Sequence, residues 1–373
     1  MEASETSKAN TLALEGVHEQ LGATMREFRG WLVPASYGDP SIEYSAVRQG
    51  GAGLIDLSSR GRIRVDGGEA VQFLNGLVTN DMKTLAVNSW MPAAFPNVQG
   101  RLLASTRIMH ILENDESAFL IDTEPVTHER VLKTLQRFTL AGDFHVSDIS
   151  KSTVMLSLQG QDAAKIASVV YAEAISMQKA EVTNSRKAGT ILRATHTGEN
   201  GFDFIVDVGS AAPLWEKLMR AGAHPVGYNV LETIRLEAGI PSYGTDMDDT
   251  NVVTEANLDH AVSYTKGCYI GQEIIARIKY RGHVAKKLTG IIADDDGGMI
   301  RSGSAIQSIE GKEIGRVTSV TLSPQLNKTI ALGYVRYEYL KASTKVMVTN
   351  AAENVLATVH ELPFLHGSWY EHE

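Results

Sequence analysis

The apolar residues at the start of the chain recur at a helical spacing. Intervals of three to four residues over residues 13–28 predict an amphipathic helix there, behind a polar, flexible tail at residues 1–12. The apolar positions of this helix are Leu14, Val17, Leu21, Met25 and Phe28. A turn is predicted near Pro34–Pro40, where two prolines bracket a polar stretch.

Short helices and strands then alternate without a regular βαβ order. The pattern predicts helices at 43–50, 69–77, 126–138 and 230–238, and strands at 53–57, 61–65, 101–112, 119–122 and 204–206. Such a mixture up to about residue 240 is typical of an α+β fold.

The pattern changes after Gly282. Residues 284–365 form short β-rich runs that are broken by Gly, Asp, Asn and Pro about every ten residues. This spacing predicts a small antiparallel barrel or sandwich. We therefore expect an α+β region at 13–283 and a β domain at 284–373.

Composition excludes several classes of protein. The net charge is −9 and the basic residues form no long run, which argues against a nucleic-acid-binding surface. A single cysteine, Cys268, cannot form an intrachain disulfide. The start of the chain has no apolar segment typical of a signal peptide, and no run is long enough for a membrane helix. These features predict a cytoplasmic protein without a membrane or direct nucleic-acid partner.

Cys268 lies in the most informative segment, Lys266–Glu273, with the sequence KGCYIGQE. If a helix begins at Cys268, the positive end of its dipole and the nearby charge of Lys266 favour the thiolate, which makes both residues catalytic candidates. A buried structural cysteine is the alternative. One thiolate cannot hold an iron–sulfur cluster, and no motif with metal-ligand spacing is present, so we predict no metal site.

Three further segments carry candidate binding residues, each with a structural alternative. Glu199, on a Gly-bracketed turn, has two carboxylate oxygens that match paired N–H donors of a flat heterocycle, although it could be a solvated turn acid. Arg235 could bind a carboxylate or pair with Glu232, one helical turn earlier. The turn that contains Asn97, Gln99 and Arg101 could be a ligand loop or an ordinary hairpin turn.

Together these segments resemble the glycine-cleavage T-protein superfamily over nearly the whole chain. The matching segments include FRGW at 28–31, AGLIDLS at 52–58, TGE at 197–199, RLEAG at 235–239, GRVTS at 315–319 and ALGYV at 331–335. The resemblance implies a fold of two interleaved α+β subdomains plus a C-terminal antiparallel β-barrel, with tetrahydrofolate or a one-carbon derivative in a central hole. It also implies that Glu199 faces the pterin ring and that Arg235 lies at or near the folate.

Within this superfamily, the KGCYIGQE segment resembles the signature of the YgfZ-type branch. That branch is linked to the folate-dependent assembly or repair of iron–sulfur enzymes, which would be the client proteins. The same resemblance makes Tyr269, Gln272, Asn97, Gln99 and Arg101 candidate folate contacts.

One departure from the aminomethyltransferases of the superfamily supports that choice. Their loop ends in a pair of aspartates, one of which assists one-carbon transfer, whereas this chain has Ala104 and Ser105. Without that carboxylate, an acid–base contribution of roughly 10²–10⁴ would be missing. The leading hypothesis is therefore a folate-binding accessory protein, and the alternatives are a tetrahydrofolate-dependent methyl- or aminomethyltransferase and a scaffold with a vestigial pocket.

Overall fold

The structure, a computed structural model, describes residues 9–140, 142–185, 189–294, 300–349 and 354–370. Short strands predominate, and helices pack against them. The strands are β1 (Asn10–Thr11), β2 (Thr24–Phe28), β3 (Trp31–Ser36), β4 (Gly53–Asp56), β5 (Gly61–Asp66), β6 (Ser89–Pro96), β7 (Leu102–Glu113), β8 (Glu116–Thr123), β9 (His145–Asp148), β10 (Thr153–Gln159), β11 (Val182–Ser185), β12 (Gly189–Arg193), β13 (Gly201–Asp207), β14 (His224–Pro225), β15 (Lys286–Ala293), β16 (Ala305–Ser308), β17 (Glu313–Ser323), β18 (Lys328–Arg336), β19 (Lys345–Thr349) and β20 (Asn354–His360). The α-helices are α1 (Glu15–Gln20), α2 (Pro40–Arg48), α3 (Ala70–Leu77), α4 (His128–Gln136), α5 (Ala163–Ala167), α6 (Val208–Arg220), α7 (Tyr228–Glu237) and α8 (Gln272–Arg281).

The N-terminal region is a small sheet in the order β1-β3-β2, with α1 beside it. The predicted helix over 13–28 is therefore wrong in its second half, because Gly22 at φ +75° ends the helical turn and the chain continues as β2. Residues 1–8 of the predicted tail lie outside the described residues. The rest of that tail is not loose, since β1 pairs with β3 and Leu12 is buried.

Two larger sheets are interleaved along the chain. A six-stranded sheet has the order β11-β12-β13-β10-β4-β14, and a five-stranded sheet has the order β6-β7-β8-β5-β9. The chain leaves the first sheet after β4, builds the whole second sheet, and returns to the first at β10. This path confirms the interleaved α+β fold that the resemblance implies.

The C-terminal strands close into an antiparallel barrel in the order β15-β18-β17-β16-β19-β20. Its interior is filled by aliphatic side chains, among them Ile291, Ile306, Val317 and Val346. Alternate residues of each strand point inward, which is how the short apolar runs of this region bury one face. The predicted β-barrel is confirmed.

Two of the predicted helices carry candidate site residues. The end of one is confirmed, and the start of the other is wrong. Helix α7 ends as predicted: Gly239 has φ +67° just after the cap, and a Cβ there would lie 2.8 Å from the Cβ of Leu362. Helix α8 begins at Gln272 rather than at Cys268, because Gly271 has φ +78° and interrupts the helical path. No helix among the described residues is long and apolar enough to cross a membrane.

Candidate functional site

A central cavity of about 730 Å³ lies where the two interleaved sheets, the barrel and the C-terminal segment meet. Its wall combines strand, loop and barrel residues, chiefly from 105–107, 195–196, 238–241, 287–289 and 369–370. This volume is within the range of about 300–1,000 Å³ that is typical of small-molecule sites. The cavity is therefore the place where the fold can enclose a ligand.

Part of the cavity wall is a chain of buried ion pairs. Arg60 binds Asp122 (2.7 Å) and Glu124 (2.8 Å), and Arg107 binds Asp122 (2.8 Å) and Asp203 (2.8 Å). Burial alone would raise the pKa values of the three acids, but the neighbouring cations lower the pKa of each below its ordinary value. The acids are therefore ionised, and they pair with the two arginines at the cavity surface.

His196 joins this network from the loop between β12 and β13. Its Nε2 lies 2.9 Å from Oδ2 of Asp203, which is fully buried, whereas 16% of the His196 side chain is exposed, on the cavity wall. Its backbone N–H donates to Oε1 of Gln159 (3.0 Å), which fixes the loop. This residue is absent from the sequence-based predictions, although the sequence has a histidine three positions before Glu199 and an aspartate on the strand that follows.

Glu199 lies next to the cavity but is not among the residues that line it. Its Oε1 accepts from Arg48 (2.6 Å), and its Oε2 accepts from both the backbone N–H (2.8 Å) and the hydroxyl (2.6 Å) of Ser368. The carboxylate is thus buried and bound by the C-terminal segment rather than solvated. Its role towards a pterin stays a prediction, which would require Ser368 to move.

Arg235 is also buried and bound by the protein. Its guanidinium donates to Asp246 (2.5 Å), Glu232 (2.7 Å) and Ser319 (3.0 Å), so it ties α7 to the barrel. Burial would lower the pKa of Arg235, but the two carboxylates raise it above its ordinary value. The residue lines a smaller cavity that adjoins the central one. The predicted pair with Glu232 is present, and a folate contact stays a prediction.

The turn at 97–101 lies away from the central cavity, against the start of α8. The side chain of Asn97 accepts from the N–H groups of Gln99 and Arg101 (both 2.9 Å), and Arg101 donates to the carbonyl of Thr250. A Cβ at Gly271 would lie 2.4 Å from the carbonyl oxygen of Asn97. The structure therefore brings this turn together with the KGCYIGQE segment, but it places neither on the cavity wall.

Within that segment, Lys266 is buried and Cys268 is exposed. The Lys266 ammonium donates to the carbonyls of Asn75 (2.7 Å), Val78 (2.8 Å) and Asn80 (2.7 Å), where it caps the C-terminal end of α3. Burial lowers the pKa of Lys266 to about 8. Cys268 precedes the first residue of α8 by four positions, so the predicted helix start at Cys268 is wrong. The catalytic roles of Cys268 and Lys266 stay predictions.

Two other residues of this segment were predicted folate contacts. Tyr269 is buried, with its ring 4.8 Å from the Lys266 Nζ, and Gln272 is the first residue of α8. Neither lines the central cavity. In the described part of the chain, no three His, Cys, Asp or Glu side chains are grouped as metal ligands.

Comparison with known families matches both parts of the fold. The model of the GCVT N-terminal domain matches residues 14–266, and the model of the glycine cleavage T-protein C-terminal barrel domain matches residues 286–365. The chain belongs to the glycine cleavage T-protein family. This family uses tetrahydrofolate as substrate or cofactor, which confirms the predicted cofactor at the level of the family.

Individual relatives within the T-protein family are named aminomethyltransferases. One from Herpetosiphon aurantiacus is 30% identical over 94% of this chain and 97% of its own length. One from Methylococcus capsulatus is 34% identical over 87% of this chain and 88% of its own length. The crystal structure of glycine cleavage system aminomethyltransferase T from Bartonella henselae superposes with a TM-score of 0.89 at 26% identity, and covers 96% of this chain and 98% of that one.

These relatives favour the transferase alternative over the iron–sulfur accessory role that the sequence analysis placed first. The YgfZ-type branch and its iron–sulfur clients find no support among them.

The cavity offers groups that suit tetrahydrofolate. Trp90 and Trp369 contribute aromatic rings to the wall, and Lys287, which also pairs with Asp259 (3.3 Å), contributes an ammonium of the kind that binds carboxylates. The donor set therefore fits a folate in size and in chemistry.

Proposed function

We propose that this chain is a tetrahydrofolate-dependent transferase of one-carbon units, of the aminomethyltransferase type. The observation that carries this proposal is the central cavity, which all parts of the T-protein fold enclose and whose wall combines aromatic rings, cations and a histidine. Bound there, tetrahydrofolate supplies the nucleophilic nitrogens that accept the one-carbon unit. The names of the relatives and their coverage of the whole chain support the same function.

The residues of the chain have separable roles in this proposal. Trp90 and Trp369 bind the flat ring, Lys287 orients the anionic end, and the Arg60–Arg107 ion-pair network keeps that wall rigid. The charged network is largely buried, so it resists rearrangement when a ligand enters.

The proposal is tested by incubating the purified chain with tetrahydrofolate and a panel of donors, and by identifying the folate product by mass spectrometry. An aminomethyl thioether should give methylenetetrahydrofolate, ammonia and a thiol. A methylamine or methylsulfonium donor would give methyltetrahydrofolate and assign a methyltransferase instead. If neither product forms with any donor, the transferase function is contradicted.

A second candidate, the folate-binding accessory protein of iron–sulfur enzymes, is favoured by two observations. Cys268 is exposed, and the positions of the family aspartates hold Ala104, which is buried, and Ser105. In this candidate, the thiol makes a transient bond to a client. Replacing Cys268 with Ala should then lower the activity of iron–sulfur enzymes in cells, and unchanged activity would exclude the role.

A further inference from the structure

Where the aminomethyltransferases of the family have a pair of aspartates, this chain has Ala104 and Ser105. An imidazole lies on the cavity wall close to that segment. Ser105 and Arg107 lie side by side on β7 and both line the cavity, so the position of the missing acid is on this wall. Arg107 and His196 share one partner: Nη1 of Arg107 lies 2.8 Å, and Nε2 of His196 lies 2.9 Å, from the same Oδ2 atom of Asp203. His196 therefore stands next to the segment from which the acid–base group is absent.

The partners of His196 fix its orientation. Asp203 is fully buried and bound to both Arg107 and His196, so its carboxylate cannot turn away. With Nε2 bound to this carboxylate, Nδ1 is the ring nitrogen that is left to exchange a proton. A histidine held by a buried carboxylate is a common arrangement for proton transfer.

The charged groups that face His196 come from several elements. Asp203 lies on β13 and Arg107 on β7, while Arg60 and Glu124 line both the central cavity and the smaller one next to it, as His196 does. Arg60 and Arg107 are each neutralised by carboxylates of the network. Unlike these guanidinium groups, an imidazole can both accept and donate a proton.

We propose that His196 is the catalytic acid–base residue of the one-carbon transfer, and that Asp203 is its positioning residue. This inference rests on the proposed transferase function. When the acceptor nitrogen forms its bond to the transferred carbon, it loses its proton, and the imidazole takes it. The electron pair of the breaking carbon–nitrogen bond goes to the departing amine. The imidazolium then gives its proton to that amine, which leaves as the neutral molecule and restores the imidazole. A second folate nitrogen then bonds to the same carbon, and the electron pair of the breaking carbon–sulfur bond goes to the sulfur. The imidazole carries the proton of this second nitrogen to the thiolate, so that methylenetetrahydrofolate and a free thiol are formed.

The test uses His196→Gln and His196→Ala in the methylenetetrahydrofolate assay with an aminomethyl thioether. Loss of a general acid–base group should lower kcat by roughly 10²–10⁴ while KM for tetrahydrofolate changes little. The wild-type pH profile should have an acidic limb that is absent from both variants. Added imidazole should restore part of the activity of His196→Ala, which a merely structural role does not predict.

A matched control is available in His128, which pairs with Asp148 (3.2 Å) and does not line the cavity. His128→Gln should retain wild-type kcat and the wild-type pH profile. Thermal unfolding and tetrahydrofolate binding of the His196 variants are measured beside the kinetics, so that an inactive variant is shown to be folded and able to bind.

The outcomes separate the two proposals. If the wild type is active and His196→Gln keeps its kcat and pH profile, the role of His196 is overturned and the transferase function stands. If the wild type forms no methylenetetrahydrofolate, the transferase function and the role of His196 are overturned together. Loss of activity in His196→Ala that imidazole does not restore also counts against proton transfer.

Discussion

At the scale of single residues, Lys266 shows how a motif residue can serve the fold. Its ammonium replaces water for three carbonyls at the C-terminal end of α3, among them those of Asn75 and Val78. From the sequence, the same charge was predicted to favour the thiolate of Cys268. Proximity along the chain suggested that role, but the side chain extends into the core and away from the exposed thiol.

Lys266→Met should lower the free energy of unfolding by about 3 kcal/mol or more, because three buried carbonyls lose their donor. Urea unfolding measures the loss. Lys217→Met on the exposed face of α6 is the matched control and should change stability by less than about 0.5 kcal/mol. A loss of that small size in Lys266→Met would contradict the capping role.

The pH dependence of the free energy of unfolding, compared between the wild type and Lys266→Met, gives a second test. Since burial lowers the pKa of Lys266 from 10.5 to about 8, the unfolded chain holds this proton more tightly than the folded protein. The wild type should therefore gain stability relative to Lys266→Met as the pH rises from about 8 to 10.5.

The candidate site illustrates what sequence reasoning can find at this scale. Glu199 and Arg235 were identified because local motifs contain them, and both prove to be buried and bound near the centre of the fold. Arg60, Arg107 and His196 were missed. Their partners are supplied by other strands, such as Asp122 for Arg60, and no local pattern shows that pairing.

At the scale of elements, glycines with positive φ mark the places where apolar spacing no longer predicts the end of a helix correctly. Apolar spacing correctly predicted α2, α3, α4 and α7, where no such glycine interrupts the helix. It extended α1 past Gly22 and started α8 before Gly271. In both places the apolar period continues through a backbone conformation that no helix can adopt.

Gly271 is also the point at which α8 docks on the turn at 97–101. Gly271→Ala should lower the free energy of unfolding by at least about 2 kcal/mol, since it adds both a positive-φ penalty and a clash with the Asn97 carbonyl. Gly282→Ala at the other end of the helix is the control. Its Cβ would meet no atom within 4 Å, and its φ is −174°. Equal stabilities of the two variants, measured by thermal unfolding, would refute this account of the docking.

At the scale of the whole molecule, the order of strands and helices along the chain indicated an α+β region followed by a barrel. It could not show that the five-stranded sheet is inserted between β4 and β10, which only the resemblance implied. The cavity is a product of that topology. Residues 105–107 and 287–289 lie on strands of the five-stranded sheet and the barrel, and residues 195–196 lie in a loop of the six-stranded sheet, so long-range pairing alone brings them together.

The central claim is that tetrahydrofolate binds in this cavity. Calorimetric titration of the wild type, Ser105→Trp and Ser105→Ala tests it most directly, because Ser105 lines the cavity and an indole there would fill space that the ligand needs. Wild type and Ser105→Ala should bind with micromolar affinity, about 8 kcal/mol, and Ser105→Trp should lose binding while its thermal unfolding is unchanged. Absence of binding to the wild type, or equal binding to Ser105→Trp, would contradict the claim.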